Sequence, residues 1–197
     1  MALAGWLAAD VVRLWISAAD YTQLRFISLE AAEIAIFVIA ACLVLRRPPP
    51  RCQDASLGMV AIAFSATLLP MLYGVLNVQT PPSTPGFVAQ AFALALMTWS
   101  ILCLGTNFSV LPQFRVLVTR GPYRWVRHPL YASYLLFDGA LVAGAGNVIG
   151  GALWLAELAL LSLRARREEK LLEAFEPFYR FYKASTPYLL IPLLLKC

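Results

Sequence analysis

The sequence predicts an all-α, polytopic integral membrane protein with about five transmembrane segments, including a C-terminal helical hairpin, and a cytoplasmic amphipathic C-terminal helix. Three observations carry this prediction. Of the 197 residues, 60% are hydrophobic and 14% are charged, whereas soluble domains are about 45–50% apolar and about 25% charged. The apolar residues form long runs, and basic residues lie in the short loops between them and in the C-terminal third. We expect one domain over 1–197, with N-terminal membrane helices over 1–104 and the functional part over 105–197.

The charge and the cysteine content exclude several classes of site. The net charge of +5 fits cytoplasmic anchoring of a membrane protein, and we expect no nucleic-acid partner because no soluble basic face with interleaved aromatics is evident. The four cysteines have no CxxC spacing and His128 is the only histidine. Neither a disulfide framework nor a metal site is therefore predicted.

The first nineteen residues form the first predicted helix. They lack the basic start of a signal peptide, and Asp10 and Arg13 interrupt their apolar stretch. We predict a retained helix, which either lies in the membrane interface or spans the membrane.

Three further segments are long enough to cross a hydrocarbon core of about 30 Å, which takes roughly 20 helical residues. They run from about Leu29 to Leu45, from Ala55 to Asn77 and from Phe87 to Leu104. The loop RRPPPRCQD after the first of them is rich in arginine and should face the cytoplasm, whereas the uncharged loop VQTPPSTPG belongs on the other side. Gly105–Pro129 carries four arginines and returns to the cytoplasm.

The helical hairpin is predicted from Leu130 to Leu163. This stretch is apolar but is interrupted by GAGNVIGG, which leaves two halves of about 15 residues. A dinucleotide site would need a preceding strand, so we interpret the glycines as a turn with close helix packing. Both ends of the hairpin then face the cytoplasm, where Gly105–Pro129 and the charged tail beginning at Arg164 converge.

The tail is amphipathic and predicts a C-terminal helix. Pro177 should kink or divide this helix, and Pro187 should end it. Its apolar residues recur at helical spacing: Leu171, Leu172, Phe175, Phe178, Tyr179 and Tyr182.

The first candidate cluster is GPYRWVRHPLY, just before the hairpin. Its two prolines hold the chain extended, so that Arg127 and His128 lie at a helix entrance. Backbone N–H groups there can bind a carboxylate or another polar ligand. The spacing alone is equally compatible with a basic juxtamembrane loop whose aromatic side chains lie among lipid headgroups.

The second cluster follows the hairpin. Glu157, Leu161, Arg164 and Glu168 share one helical face, which connects an acidic residue inside the membrane to an ion pair at its border. An ordinary surface ion pair is the alternative interpretation. For Asp138 and Glu157, which lie in the apolar hairpin, we favour hydrogen bonding between helices over a catalytic role.

With these clusters, the sequence resembles the isoprenylcysteine carboxyl methyltransferase family and its relatives, the phospholipid N-methyltransferases. The matching residues are LVTRGPYRWVRHPLY, then RARREEKLL after the hairpin, Tyr179, Tyr182 and the closing TPYLLIP, so that the resemblance covers roughly Asn107 to Pro192. It implies an integral membrane enzyme that uses S-adenosylmethionine, releases S-adenosylhomocysteine and has its cofactor-binding and catalytic part in 105–197. Ser133 departs from the glycine frequent in the family.

The resemblance also implies the roles of individual residues. Arg164 would be the catalytic residue that engages the substrate carboxylate, and Glu168 would hold the cofactor. The further residues implied at the cofactor are Gln113, Arg115, Val116, Leu117, Val118, Tyr123, His128, Pro129, Leu130 and Tyr131. We also expect Glu157 to contact the substrate.

A carboxylate acceptor is already ionised at neutral pH, so its methylation needs positioning and a dry cavity but no general base. An amine acceptor, as in a phospholipid N-methyltransferase, would make Glu157 or Glu169 a candidate base. Two different functions are also compatible with the sequence: an NADPH-dependent membrane reductase, whose RHP-type motif is similar, and a non-catalytic lipid-binding protein. We expect a lipophilic substrate to enter from the bilayer, membrane lipids as partners, and a bacterial inner membrane, or the endoplasmic reticulum if the source is eukaryotic.

Overall fold

The computed structural model describes residues 21–50, 52–53, 56–70, 72–73, 83–109, 113–114 and 116–190. The helix predicted in the first nineteen residues, most of the uncharged loop and Arg115 lie outside the described residues. The helices are α1 Tyr21–Leu45, α2 Leu57–Leu68, α3 Thr84–Leu104, α4 Pro129–Ala145, α5 Val148–Phe175 and α6 Tyr179–Ser185. Two-residue strands β1 Cys52–Gln53 and β2 Gln113–Phe114, and 3-10 turns at Gly105–Asn107 and Gly121–Arg124, lie between them.

The predicted helical membrane fold is confirmed. In the described part of the chain, three helices are long and apolar enough to cross a membrane: Gln23–Leu45, Thr84–Asn107 and Val148–Phe175. Helix α2 is apolar but has only 12 residues, and α4 has 17. At 1.5 Å per residue, α4 covers about 25 Å, so it is one of the short hairpin helices that the sequence predicts.

Two helix boundaries differ from the predicted ones. Helix α1 already includes Tyr21 and does not start near Leu29, because residues 21–28 contain neither glycine nor proline and Arg25 is held by Thr84 at 2.8 Å. Helix α2 ends at Leu68 rather than near Asn77. Pro70 explains this end, since the residue before a proline is disfavoured in helical conformation.

The loop after α1 and the segment after α3 lie at the same end of the helix bundle. Strands β1 and β2 pair antiparallel, with Cys52 opposite Phe114, and the Arg47 Nη1 donates to the Ser109 Oγ at 3.4 Å. We call this end, which carries the arginine-rich loops, the arginine end. The structure thus brings together the two loops that the sequence assigns to one side of the membrane.

Helices α4 and α5 form the predicted hairpin. Gly146 adopts the left-handed conformation at the turn, with φ of 60°, and the Asn147 side chain caps α5 by accepting from the Ile149 N–H. The second arm does not end at Leu163 but continues to Phe175, because no glycine or proline separates these residues. Helix α5 therefore joins the interior of the bundle to the charged tail without interruption.

The tail divides where its prolines predict. Helix α5 ends before Pro177, and α6 ends before Pro187. Tyr179 and Tyr182 are buried, but Phe178 is 71% exposed and Phe175 is 55% exposed. The apolar tail residues therefore do not all face the protein interior, since the break at Pro177 changes the helical phase between them.

Two apolar clusters hold the helices around the site. The first joins α1, α3 and α4 through residues such as Ile36, Leu94 and Leu130. The second joins α4 and α5 to the C-terminal segment, where Leu189 and Leu190 are almost fully buried. Burial of each such side chain contributes about 1.5–3 kcal/mol, so the C-terminal segment is fixed against the hairpin.

Candidate functional site

The helices surround a cavity of about 710 Å³, a volume typical of ligand sites. Its wall at the arginine end includes His128, Arg164 and Glu168, and its deeper wall includes Asp138 and Glu157. Apolar side chains of several helices line the space between and around these groups. The cavity therefore has a charged mouth and a mainly apolar interior.

The loop that leads into α4 is shaped by Gly121. This residue has φ of 62°, a conformation that side chains disfavour, and its Cα faces Trp99 and Cys103 of α3. A 3-10 turn over Gly121–Arg124 follows and buries Tyr123. The glycine thus allows the loop to approach α3 closely and to turn toward the cavity.

The C-terminal segment fastens this loop from the other side. The backbone N–H groups of Arg127 and His128 donate to the carbonyls of Tyr188 and Leu189 at 2.9 and 3.0 Å. The Tyr182 hydroxyl donates to the Tyr123 carbonyl at 2.7 Å. These two N–H groups are therefore occupied by the tail, and ligand binding by the other N–H groups of the helix entrance stays a prediction. The loop contributes the side chains of Tyr123, Arg127 and His128 to the cavity wall.

Glu168 is the centre of the first group of polar contacts. Its Oε1 accepts from the Tyr131 hydroxyl at 2.5 Å and from the Arg164 Nε at 3.1 Å. Its Oε2 lies 3.7 Å from the His128 Nδ1. The His128 and Tyr131 rings stack at a centroid distance of 5.4 Å, so these aromatic rings form a wall beside the carboxylate.

Arg164 is held in a fixed orientation. Besides its bond to Glu168, its Nη2 donates to the Ser109 carbonyl at 3.2 Å. Its guanidinium carbon lies 5.0 Å from the centroid of the Tyr131 ring. These contacts come from three different segments, and a guanidinium has five N–H donors. Arg164 therefore retains donors for a further ligand.

Glu169, next to Glu168, has a different environment. It accepts from the buried Arg127 Nε at 2.5 Å and lies 3.3 Å from the Lys183 Nζ. Arg127 also donates to the Thr186 carbonyl at 2.8 Å. Glu169 thus links α5 to the tail as part of a buried ion pair, and it is not available as the general base considered for an amine acceptor.

Three buried donors or acceptors at this end are left without a hydrogen-bond partner among the described residues: the Arg127 Nη2, the His128 Nε2 and the Tyr179 hydroxyl. All three residues line the cavity. Unpaired buried polar atoms are uncommon in native proteins. Their presence at the charged mouth is consistent with a polar ligand.

The charge states of three tyrosines and one lysine at this end follow from their surroundings. Burial raises the pKa of Tyr123, Tyr179 and Tyr182 above that of an ordinary tyrosine, so these hydroxyls remain neutral donors. A hydrogen bond to Glu173 raises the pKa of Lys183. The ammonium that contacts Glu169 is therefore charged at every pH at which the protein would be studied.

Most of the residues predicted for the site border this one cavity. They are Val116, Leu117, Val118, Tyr123, His128, Leu130, Tyr131, Glu157, Arg164 and Glu168. Pro129 begins α4 and is buried, but it is not part of the cavity wall. Gln113 lies in β2 opposite Gln53, and Arg115 lies outside the described residues.

Further residues of the cavity wall were not assigned a role from the sequence. Tyr73, Gln90 and Tyr134 come from three different segments and meet only in the fold. A polar or phenolic side chain within an apolar run was their only signal. The bond between Arg127 and Glu169 had a clearer sequence signal, since Arg127 is next to His128 and Glu169 is next to Glu168 in the sequence.

Two comparisons with known proteins found a similarity. Residues 87–174 match the model of the isoprenylcysteine carboxyl methyltransferase (ICMT) family. A solved structure described as the eukaryotic intramembrane Ras methyltransferase ICMT, without a monobody, is similar in fold, with a TM-score of 0.58 and 21% sequence identity. The similarity covers 90% of this chain and 70% of the other.

No curated protein sequence matches the chain significantly. The family match spans α3, the loop at the cavity mouth, the hairpin and the two adjacent glutamates, and the fold similarity extends over nearly all of the chain. The chain is therefore similar to the isoprenylcysteine carboxyl methyltransferase family over residues 87–174 and shares the fold of the solved methyltransferase structure.

Proposed function

We propose that this protein transfers the methyl group of S-adenosylmethionine to a carboxylate of a lipophilic, isoprenylcysteine-type acceptor. One observation carries the proposal: Arg164 and Glu168 lie side by side on the wall of a cavity that is charged at its mouth and mainly apolar inside. The cation suits a carboxylate, the anion suits the ammonium of the cofactor, and the apolar interior suits the lipid.

The residues at the mouth fit the cofactor. Glu168 would accept from its ammonium or its ribose hydroxyls, beside the stacked rings of His128 and Tyr131. The unpartnered Arg127 Nη2 and Tyr179 hydroxyl would donate to its carboxylate. When bound, S-adenosylmethionine supplies an electrophilic methyl group on a sulfonium. The assignment of individual residues to individual groups of the cofactor follows from their charge and donor capacity.

Arg164 would hold the acceptor carboxylate. Because its Nε and Nη2 are engaged by Glu168 and Ser109, its remaining N–H groups would bind one carboxylate oxygen and leave the other free as nucleophile. This side chain would therefore orient the acceptor without neutralising both of its oxygens. Apolar walls would exclude water from the reacting groups.

The surroundings of the two candidate bases favour a carboxylate acceptor over an amine. Glu169 is engaged by Arg127 and Lys183. Glu157 is buried and accepts from the Tyr73 hydroxyl at 3.3 Å. Neither carboxylate is free to take a proton from an acceptor at the mouth, and a carboxylate acceptor needs no such base.

The proposed function includes an orientation. We place the arginine end in the cytoplasm, since arginine-rich short loops remain on that side. The cofactor would then enter from the cytoplasm and the acceptor sideways from the bilayer. We place the protein in a bacterial inner membrane, with the endoplasmic reticulum as the alternative.

The test is methyl transfer by the purified protein in lipid nanodiscs, with S-adenosylmethionine labelled in its methyl group and N-acetyl-S-farnesylcysteine as acceptor. A methyl ester releases labelled methanol in base, whereas an N-methyl group is stable. We expect base-labile label in the wild type and almost none in Arg164→Ala. Base-stable label in the nanodisc phospholipid would instead indicate an N-methyltransferase, and oxidation of NADPH would indicate a reductase.

A further inference from the structure

The tail helix α6 is connected to the cavity mouth by an ion-pair network of Lys183, Glu169 and Arg127. The Lys183 Nζ lies 3.3 Å from the Glu169 Oε2, and the Glu169 Oε1 accepts from the Arg127 Nε at 2.5 Å. Arg127 and Glu169 are buried, whereas the Lys183 side chain is 30% exposed. Arg127 lines the cavity and Lys183 does not. The network therefore extends from the surface of α6 to the proposed cofactor site.

The Arg127 guanidinium has one nitrogen left for a ligand. Its Nε bonds to Glu169, and its Nη1 donates to the Thr186 carbonyl at 2.8 Å. Its Nη2 is buried and has no hydrogen-bond partner among the described residues. A buried cationic donor without a partner is unfavourable. This nitrogen therefore requires an acceptor, and an anionic acceptor would suit it best.

The position of Glu169 explains why this nitrogen is free. A carboxylate beside an arginine frequently bonds to two guanidinium nitrogens through both of its oxygens. Here the Oε1 bonds to the Arg127 Nε, but the Oε2 faces the Lys183 ammonium. Lys183 thus competes with the Arg127 Nη2 for the second oxygen of Glu169. Without Lys183, the carboxylate could turn to engage the Nη2, and one positive charge beside it would be lost.

His128 relates this network to the other carboxylate of the mouth. The His128 Nδ1 lies 3.7 Å from the Glu168 Oε2, and its Nε2 lies 3.7 Å from the Glu169 Oε1. Glu168 and the bond between Arg127 and Glu169 are therefore found on either side of one imidazole ring. The mouth offers an anion for an ammonium and, close by, a cationic donor for a carboxylate. The amino-acid moiety of S-adenosylmethionine carries both groups.

We infer that Lys183, acting through Glu169, positions the Arg127 guanidinium to bind the carboxylate of the cofactor. Lys183 is a positioning residue, since it lies outside the cavity wall. This inference rests on the proposed function and identifies the part of the cofactor that the tail helps to recognise. It implies that the preference for a ligand with this carboxylate depends on a partly exposed lysine of α6.

The test compares S-adenosylhomocysteine with its decarboxylated analogue, which keeps the adenosine, the thioether and the ammonium. Binding of each to the full chain in lipid nanodiscs is measured by calorimetry. We expect the wild type to bind S-adenosylhomocysteine about 10- to 100-fold more tightly, the effect of one charge-assisted hydrogen bond. Lys183→Met should reduce this ratio about tenfold by weakening S-adenosylhomocysteine alone, because the analogue has no acceptor for the Arg127 Nη2.

Two further variants test whether the position of the charge matters. Lys183→Arg keeps a cation beside Glu169 and should retain most of the preference for the carboxylate. Arg180→Met is the matched control, because it removes a positive charge from an exposed position of the same helix. This variant should leave the ratio of the two affinities unchanged.

The results that would overturn the inference are distinguishable from failure of the proposed function. Equal binding of the two ligands by the wild type refutes recognition of the carboxylate. A wild-type ratio in Lys183→Met refutes the positioning role, including the case in which both ligands bind equally more weakly because the tail is loosened. Both results leave methyl transfer intact. No binding of either ligand by folded protein refutes the proposed function itself.

Discussion

At the scale of single residues, the orientation of Arg164 matters as much as its charge. The guanidinium spans Glu168, the Ser109 carbonyl and the Tyr131 ring. A lysine would keep the positive charge but could not make these contacts simultaneously, because it lacks the planar fork of donors. Arg164 is therefore the residue at which a conservative substitution is most informative.

We predict that Arg164→Lys lowers kcat/KM for the lipid acceptor by about 10- to 100-fold, the effect of losing one charge-assisted hydrogen bond. The affinity for S-adenosylhomocysteine should change much less. The measurement is initial-rate kinetics together with calorimetry. The control is Arg166→Lys, since Arg166 is exposed on the same helix. Wild-type kinetics in Arg164→Lys would contradict the proposed role.

The sequence predicts the residues of the cavity mouth well, because the two clusters contain their signals locally. His128, Arg164 and Glu168 indeed border one cavity. The sequence does not predict that Gln90 and Tyr73 line the same cavity, because this depends on how α3 and the chain after α2 pack against the hairpin. A single polar residue in an apolar run shows only that a partner is needed, not which one.

At the scale of elements, the loop at the cavity mouth depends on its contact with α3. Gly121 has a positive φ, and a Cβ at this position would meet the Cys103 Sγ and the Trp99 ring. Substitution therefore combines backbone strain with a steric conflict. The loop cannot shift freely, because the tail holds its other side.

We predict that Gly121→Ala destabilises the protein by about 1–3 kcal/mol and weakens S-adenosylhomocysteine binding. The measurement is thermal unfolding in detergent, followed by calorimetry. Gly144→Ala is the matched control, since Gly144 lies inside α4 with open space around it and alanine favours a helix by about 0.5–1 kcal/mol. Equal melting temperatures for the two variants would show that the loop tolerates a Cβ.

Helix ends are predictable where proline or glycine marks them. The hairpin turn at Gly146, the end of α5 before Pro177 and the end of α6 before Pro187 all follow from the sequence. The helical conformation of residues 21–28 does not, because the charge of Arg25 favours an exposed loop until its bond to Thr84 is known. Charged residues near a membrane helix are therefore ambiguous markers of its end.

At the scale of the whole molecule, the two ends of the bundle should lie on opposite sides of the membrane. Leu57 begins α2 next to β1 at the arginine end, and Val148 begins α5 at the hairpin turn, and both are highly exposed. These positions can report the orientation of the chain, since a substituted side chain at either would be accessible to reagents from one side only.

We predict that, in a background without the native cysteines, Val148→Cys reacts with a membrane-impermeant maleimide added outside intact cells, whereas Leu57→Cys reacts only after the membrane is permeabilised. The expectation follows from the positive-inside rule. The reverse pattern would place the cavity mouth outside the cytoplasm. Reaction of both in intact cells would show that the bundle does not span the membrane as described.

The pH dependence of the reaction should be weak. The acceptor carboxylate has a reference pKa near 3.5, so it is already ionised in the range from about pH 6 to 9, and Lys183 stays charged because its pKa is raised. We predict a nearly constant kcat/KM across this range, measured with the labelled-methyl assay. A rate that rises about tenfold per pH unit would indicate an amine acceptor that must lose a proton.

The proposed cofactor site is tested most directly by calorimetric binding of S-adenosylhomocysteine to the purified protein, with NADPH as the competing cofactor. We predict micromolar binding of the former, a loss of at least about tenfold in Glu168→Gln, and no change in Glu173→Gln, whose side chain pairs with Lys183 away from the cavity. Preference for NADPH, absence of binding by folded protein, or equal binding by Glu168→Gln would contradict the proposed cofactor site.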